Sequence, residues 1–341
     1  MVLLKKIVIG LLLLVLVIVA VGFFLPRKVH VERSIVVDAP QATVFALVNG
    51  FHSFNKWSPW FTLDPNATYA YEGPREGVGA KMTWSGDPKK VGSGSQEIVA
   101  SDGFESVTTD LDFEGQGKAV SRIGLSLDPG GTKVVWGFDT DLGMSPLSRY
   151  FGLVCDRMIG PDYEKGLGGL KKLAESLPKL DLAKLKTEEV SAEPVTVAYV
   201  SSSSKTEMAA IAAAIGAAYG QVGKYMGEQG LKQAGAPITI NTKWGEGEYE
   251  FDAAIPVDRD PAAEPSAGSA VKVKKTYAGK AIKVVHTGSY KGLSTLYDRL
   301  YAWIAVHGYE QNGPPWDEYV SDPGNTPESE LVTNVYLPVK S

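Results

Sequence analysis

The side chains with the widest chemical range in this sequence are one cysteine, Cys155, and four histidines, His30, His52, His286 and His307. A cysteine acts as a nucleophile only as its thiolate, which needs an electropositive and accessible neighbourhood. Cys155 instead ends the apolar stretch Tyr150-Phe151-Gly152-Leu153-Val154-Cys155 and reads as a small buried hydrophobe. None of the histidines stands at a metal-ligand spacing such as His-x-x-x-His, and no cysteine pair assists them. No metal and no cofactor are therefore expected. The glycines between Gly73 and Gly79 are not followed by Gly-Lys-Ser/Thr, so they do not form a phosphate loop. In the first half of the chain no Ser-His-Asp set or paired carboxylate stands out.

The elements that would position any chemistry follow from length and patterning. At 341 residues the chain exceeds one ordinary core and fits two domains with appendages. Its net charge of -5 argues against a nucleic-acid partner. Near the N-terminus, Ile7 to Leu25 is uncharged and almost wholly apolar. As a helix it would span ~28 Å, close to the hydrocarbon thickness of a bilayer. A cleaved signal usually has a shorter apolar core, and here Phe23-Phe24-Leu25 extends the run beyond the weak Ala20-Val21-Gly22 site. The reading is an uncleaved transmembrane anchor within residues 1–28, with a cleaved signal as the alternative. The flanking charges are nearly balanced, Lys5 and Lys6 against Arg27, Lys28 and Arg33. A short tail ahead of a single N-terminal span usually stays cytoplasmic, which puts the soluble domains on the extracytoplasmic (periplasmic) side.

Residues 29–177 read as a strand (Val29–Val37), a short helix (Gln41–Asn49) and then a glycine-punctuated antiparallel meander. A long helix closes the stretch, with Pro161 in its first turn and Tyr163, Leu167, Leu170, Ala174 and Leu177 along one apolar stripe. Arg33-Ser34-Ile35, Asp38-Ala39-Pro40, Trp57-Ser58-Pro59-Trp60, Tyr71-Glu72-Gly73-Pro74 and Gly160-Pro161-Asp162-Tyr163-Glu164 resemble the SRPBCC superfamily, START-like and polyketide-cyclase-like. The resemblance implies a helix-grip fold with a cavity between sheet and long helix. Trp60, Trp84 and Trp136 are its candidate lining residues, or else core.

The charged segment 178–194 reads as an exposed connector. Beyond it, residues 195–341 repeat the order strand, helix, strand, strand, and both copies close alike, on Ile255-Pro256-Val257 and Leu337-Pro338-Val339. Two βαββ units about a pseudo-twofold axis are expected, with a groove between their helices and an exposed excursion at Asp258 to Gly268. One face of the second helix carries Leu293, Leu296, Tyr297, Leu300, Tyr301 and Ile304. His286-Thr287-Gly288-Ser289-Tyr290, Tyr301-Ala302-Trp303-Ile304, Pro315-Trp316-Asp317-Glu318-Tyr319 and Thr333-Asn334-Val335-Tyr336 resemble the GyrI-like domain, also the effector-binding domain of some transcription regulators. Members of that family typically bind amphipathic or cationic molecules in an aromatic pocket with a buried acid, and some hydrolyse reactive small molecules. The family's acid lies two residues before the strand tyrosine, which gives Asp317 and Tyr319 on one strand face and Glu318 on the other. The family more often has Glu at that position, and Glu318 becomes the operative acid if the strand is bulged. Trp244, Tyr249, Phe251, Trp303 and Trp316 are the aromatic candidates, each as core or as ligand contact.

The fold expected is thus α+β: a transmembrane helix, a START-like helix-grip domain and a duplicated βαββ domain. The function expected is non-enzymatic binding or sensing of hydrophobic or amphipathic small molecules at a membrane. The alternative is a hydrolase or cyclase with Asp317 or Glu318 as base and Tyr319 as acid or orienting group.

Overall fold

The computed structural model describes residues 2–340 apart from 181, 183, 184, 246, 262–264, 266 and 267. The chain divides into two compact units between Ala183 and Lys184. Parts of the expected connector and of the excursion Asp258 to Gly268 lie outside the described residues.

The first unit opens with α1 (Val2–Phe24), a helix long and apolar enough to cross a membrane. It has the length and apolarity of an anchor or of a signal sequence. Seven strands follow: β1 (Lys28–Val37), β2 (Thr68–Glu72), β3 (Lys81–Ser85), β4 (Ser93–Asp102), β5 (Ser106–Phe113), β6 (Gly117–Asp128) and β7 (Gly131–Asp141). They form one antiparallel sheet in the order β1-β7-β6-β5-β4-β3-β2, a meander closed at one edge by the first strand. Two short helices, α2 (Gln41–Val48) and α3 (Pro59–Leu63), bridge β1 and β2, and α4 (Gly152–Ser176) packs against the sheet.

Helix α4 starts nine residues before Pro161, where the sequence placed its beginning, and Pro161 lies inside it. Proline normally pushes the preceding residue out of the helical region through a clash involving that residue's Cβ. Gly160 has none, so the helix passes through at the cost of the missing N–H. The junction is then clamped to β1. Arg33 donates to Glu164 at 2.7 Å and to Asp156 at 2.8 Å, one acid on each side of the proline. A Cβ on Gly160 would meet the Arg33 guanidinium at 2.1 Å.

Tyr163, Leu167, Leu170 and Ala174 of α4 are buried, as their spacing requires. Farther along, the helix approaches the backbone near Trp57 closely: a Cβ on Gly169 would lie 2.6 Å from the Trp57 carbonyl oxygen, whereas one on Gly168 would touch nothing within 4 Å. Gly169→Ala should therefore destabilise the domain by about 1–3 kcal/mol through overpacking against backbone. Gly168→Ala should stabilise it by up to about 1 kcal/mol through helix propensity. Thermal unfolding of the two variants should shift in opposite directions.

The second unit carries β8 (Thr187–Ala192), β9 (Thr196–Ser204), α5 (Met208–Gln229), β10 (Ile238–Gly245), β11 (Glu248–Pro256), β12 (Val271–Lys275), β13 (Gly279–Thr287), α6 (Leu293–Val306), β14 (Glu310–Gln311), β15 (Trp316–Tyr319) and β16 (Val332–Lys340). The sheet runs β12-β9-β11-β10-β15-β16-β13-β8. The two βαββ units, β9-α5-β10-β11 and β13-α6-β15-β16, meet at the antiparallel pair β10 and β15, which sits at the pseudo-twofold axis. Helix α5 packs over β9 and β11, and α6 over β13 and β16, each with its own apolar cluster.

The repeat extends further toward the N-terminus than the sequence reading had it. Part of the segment read as a connector is strand β8, which pairs with β13 of the second repeat. Its counterpart β12 precedes β13 and pairs with β9 of the first repeat. Each repeat thus lends its leading strand to the other's outer edge. These edges are charge-rich (Thr-Glu-Glu-Val-Ser-Ala and Val-Lys-Val-Lys-Lys), which masks them as strands in the sequence and guards an exposed edge against further pairing.

Candidate ligand-binding site

Between α5 and α6, above the central strands β10 and β15, lies a cavity of about 1250 Å³. Helix α5 lines it with Met208, Ile211, Ala212, Ile215, Gly216 and Tyr219, and α6 with Leu293, Tyr297 and Tyr301 among others. Aromatic side chains in the walls also include Trp244, Tyr249, Tyr290 and Tyr319, among prolines and polar groups such as Asp298 and Asp322. Trp244 and Tyr301 are exposed at the rim.

Asp317 lines this cavity and is 4% exposed. Strand alternation brings Thr239 and Asn241 of β10 to the same face, and both reach it. Tyr297 donates its hydroxyl to Asp317 Oδ1 at 2.7 Å, and Asn241 donates to Oδ2 at 3.0 Å. Thr239 donates to Oδ2 at 3.4 Å, and the Tyr319 hydroxyl lies 3.0 Å from Thr239. Tyr249 donates to the Asn241 side-chain oxygen at 2.5 Å, which fixes the amide with its NH2 toward the acid. The network reads Tyr249 to Asn241 to Asp317, with Tyr319 to Thr239 to Asp317 beside it. A bulge in β10 between Asn241 and Lys243 lies next to this cluster.

Burial drives the Asp317 carboxyl above the usual carboxylate range, and the hydrogen bonds from Tyr297, Asn241 and Thr239 oppose that rise. The Tyr297 and Tyr319 hydroxyls are pushed well above the ordinary phenol value, first by burial and then by the charge of Asp317. Among the described residues no lysine or arginine forms an ion pair with Asp317, and the charge of His286 also opposes the rise. Two lysines line the cavity. Lys243, beside Trp244, is engaged by Glu248 at 2.8 Å and Glu250 at 2.9 Å, and Lys291 is exposed. The site is a desolvated negative group under aromatic faces, which suits a cation with apolar substituents.

Residues 186–340 match the family model of the GyrI-like small molecule binding domain, and residues 28–175 match that of polyketide cyclase / dehydrase and lipid transport. The chain carries one domain of each family. No curated protein matches it. Among solved structures it is similar to the EcmrR C-terminal domain, at 17% identity and a TM-score of 0.41, covering 46% of this chain and 99% of that one. It is also similar to a hydrolase from Listeria innocua, at 16% identity and a TM-score of 0.34, covering 46% and 93%. A third is protein CV1439 from Chromobacterium violaceum, at 17% identity and a TM-score of 0.31, covering 44% and 99%.

In the GyrI-like domain the structure brings Trp244, Tyr249, Asp317 and Tyr319 to the cavity. It sets Phe251 in the core beneath, stacked on Tyr249 at 4.8 Å. Trp303 packs away from the cavity on His307 at 3.9 Å, and Trp316 stacks on Tyr336 at 4.7 Å. Strand β15 pairs on both sides without a bulge, so Glu318 points to the opposite face, where Asn334 and Tyr336 donate to it at 2.7 and 3.0 Å. Thr239, Asn241 and Tyr297 were not singled out as site residues from the sequence. Tyr297 appeared there as part of an apolar helix face, and the pairing of β10 with β15, which brings Asn241 to the acid, joins residues far apart in the chain.

In the polyketide-cyclase-like domain the three tryptophans separate. Trp136 is buried, stacked on Tyr163 at 3.9 Å and donating to Ser121 at 2.8 Å. Trp60, half-buried, meets Trp136 edge-on at 5.8 Å. Trp84 lies elsewhere, on a shallow surface hollow of about 480 Å³ with Tyr69 and Asp112. Cys155 is buried, and burial pushes its thiol up, away from reactivity.

Tyr297→Phe offers a direct test of the network. Removing a hydrogen bond to a carboxylate costs the charged form about 1.5–3 kcal/mol, or roughly 1–2 pH units in its ionisation. The pH at which an organic cation begins to bind should move upward by that amount. A pH series of binding isotherms would show it.

Proposed function

We propose that the chain is a membrane-anchored receptor that binds hydrophobic or amphipathic cations in the cavity of its GyrI-like domain and does not turn them over. The observation that carries the reading is Asp317, a buried carboxylate facing an aromatic cavity, with no lysine or arginine paired to it among the described residues. A bound cation would supply the missing counter-charge. Helix α1 supports the anchoring part. The short tail ahead of it, of a kind that usually stays cytoplasmic, supports the extracytoplasmic side for the soluble domains.

The test uses tetraphenylphosphonium and tetraphenylborate, ions of one shape and opposite charge, added to the full-length protein in lipid nanodiscs, with empty nanodiscs as the blank. The cation should bind and raise the unfolding temperature, and the anion should do neither. Equal effects from both ions, or none from either, would overturn the binding reading. Retention of an N-terminal epitope in the membrane fraction tests the anchor, because a cleaved signal would lose it. The 2.7 Å contact between Tyr297 and Asp317 is also the geometry of an acid–tyrosine pair. Steady turnover of an epoxide or lactone, lost in Asp317→Asn, would replace the receptor reading by a hydrolase.

A further inference from the structure

We infer that residues 142–158, the loop after β7 and the first part of α4, form a membrane-contact surface that seats the first domain in the bilayer leaflet from which α1 emerges. This rests on the reading of α1 as an anchor and adds a second, separate site of lipid contact.

Three observations converge on this segment. The first is that the end of α1 is docked upon it. Gly22 lies so close to the loop that a Cβ there would meet the Pro146 carbonyl oxygen at 2.4 Å. Arg149 donates to the carbonyls of Phe23 at 2.8 Å and Leu25 at 3.3 Å, and the Tyr150 hydroxyl donates to that of Ile18 at 2.7 Å. The Phe23 carbonyl, in the last turn of α1, lacks an intrahelical partner, and Arg149 of this segment satisfies it. The segment is thereby held level with the last turns of a membrane-length helix.

The second observation is its surface. Met144, Leu147, Phe151, Leu153, Val154 and Met158 are all exposed, Met144 by 71% and Leu153 by 65%. Phe151, Val154 and Met158 follow one another by three and four residues at the start of α4, so they form one stripe on the outer face, with Leu147 just ahead of the helix. Cys155, on the inner face, is fully buried. A helix facing water would carry polar residues along that outer stripe.

The third is charge. The acids of the region are drawn away from the stripe, Asp141 by Arg27 at 2.5 Å and Asp156 by Arg33 at 2.8 Å. Arg157 flanks it, exposed and with the sign that suits phosphate headgroups, while Arg149 is turned to the end of α1. An apolar stripe with a basic border, continuous with an apolar spanning helix, matches an interfacial lipid contact.

The full-length wild-type protein, reconstituted in vesicles of phosphatidylcholine and phosphatidylglycerol, would be photolabelled with a phospholipid bearing a diazirine high on its acyl chain. Adducts are then mapped by mass spectrometry. Adducts are expected on peptides covering 142–158 as well as on α1, and not on the turn around Leu127. That leucine is as open to solvent, at 82%, but lies at the far end of the β6–β7 hairpin, ~33 Å along the strands. Adducts on α1 but not on 142–158 would overturn this inference and leave the anchor standing. No adducts on α1 would overturn the anchor itself. Adducts on 142–158 that grow severalfold as the protein is diluted into lipid would also overturn it, since they would show a second copy covering the surface.

Discussion

Asp317→Asn is expected to lower the affinity for tetraphenylphosphonium by roughly 30-fold or more. Truncating one partner of a desolvated charge pair costs about 2–5 kcal/mol, and each 1.4 kcal/mol is about tenfold in affinity. The substitution keeps the size of the side chain and removes its charge. It also turns one carboxylate oxygen into an NH2 group that can no longer accept from Tyr297 or from Asn241 and Thr239, while the uncharged aromatic contacts remain. The sign of the pH dependence follows from the raised ionisation of Asp317. A carboxyl whose pKa is higher folded than unfolded contributes stability that is fully present below the unfolded value, about 3.9, and lost as pH rises through the folded value. The contribution of Asp317 to the stability of the ligand-free protein should therefore fall over that window, read as the difference between wild type and Asp317→Asn, while cation affinity rises over the same window as Asp317 ionises. In Asp317→Asn both trends should flatten together. Isothermal titration and thermal unfolding between pH 4 and 8 (a range chosen about the ordinary carboxylate value) would check the pair. An Asn variant that binds the cation as tightly as the wild type would place the ligand elsewhere.

How far the sequence leads to this site depends on which contacts are local. The apolar run of α1, the stripe Tyr163-Leu167-Leu170-Ala174 and the doubled strand-helix-strand-strand order are periodic, so their elements are readable one at a time. Asp317 and Tyr319 fall on one face because a strand alternates, and the unbulged β15 keeps Glu318 on the other. Asn241 and Thr239 belong to the site only because β10 pairs with β15, and no local pattern announces that pairing. Strand β8 hides in a charged run because its side chains satisfy an exposed edge rather than a core: Glu189 accepts from Tyr309 at 2.7 Å and pairs with Lys280 at 3.0 Å. Pro161 misplaces the start of α4 because the permissive residue is its neighbour, Gly160, whose missing Cβ matters only against Pro161 and Arg33. Aromatic side chains are the hardest to assign. Trp136 and Tyr249 look alike in sequence context, yet one closes a core and the other lines a cavity.

Trp136→Ala tests that distinction with the second large effect. The indole lies between the sheet and α4, stacked on Tyr163 and edge-on to Trp57 at 5.4 Å, with its N–H donated to Ser121. Gly166 of α4 accommodates the ring, since a Cβ there would meet it at 2.6 Å. Deleting a buried tryptophan of this kind costs about 3–5 kcal/mol, from lost transfer energy and from the cavity left behind. Against a total stability of about 5–15 kcal/mol, that is enough to collapse the cooperative transition of the first domain toward ambient temperature. Trp60→Ala should cost less, because Trp60 is half-buried and already in partial contact with water. The tetraphenylphosphonium shift separates the two domains in one melting experiment. The transition that moves with the cation reports the GyrI-like domain, and the one that does not is expected to fall in Trp136→Ala. If Trp136 instead lined a ligand-filled pocket, its removal would leave that transition nearly unmoved, because the site would lose contacts with a ligand rather than with Tyr163 and Trp57. A small shift in near-ultraviolet circular dichroism melts would thus reassign the space between sheet and helix from core to cavity.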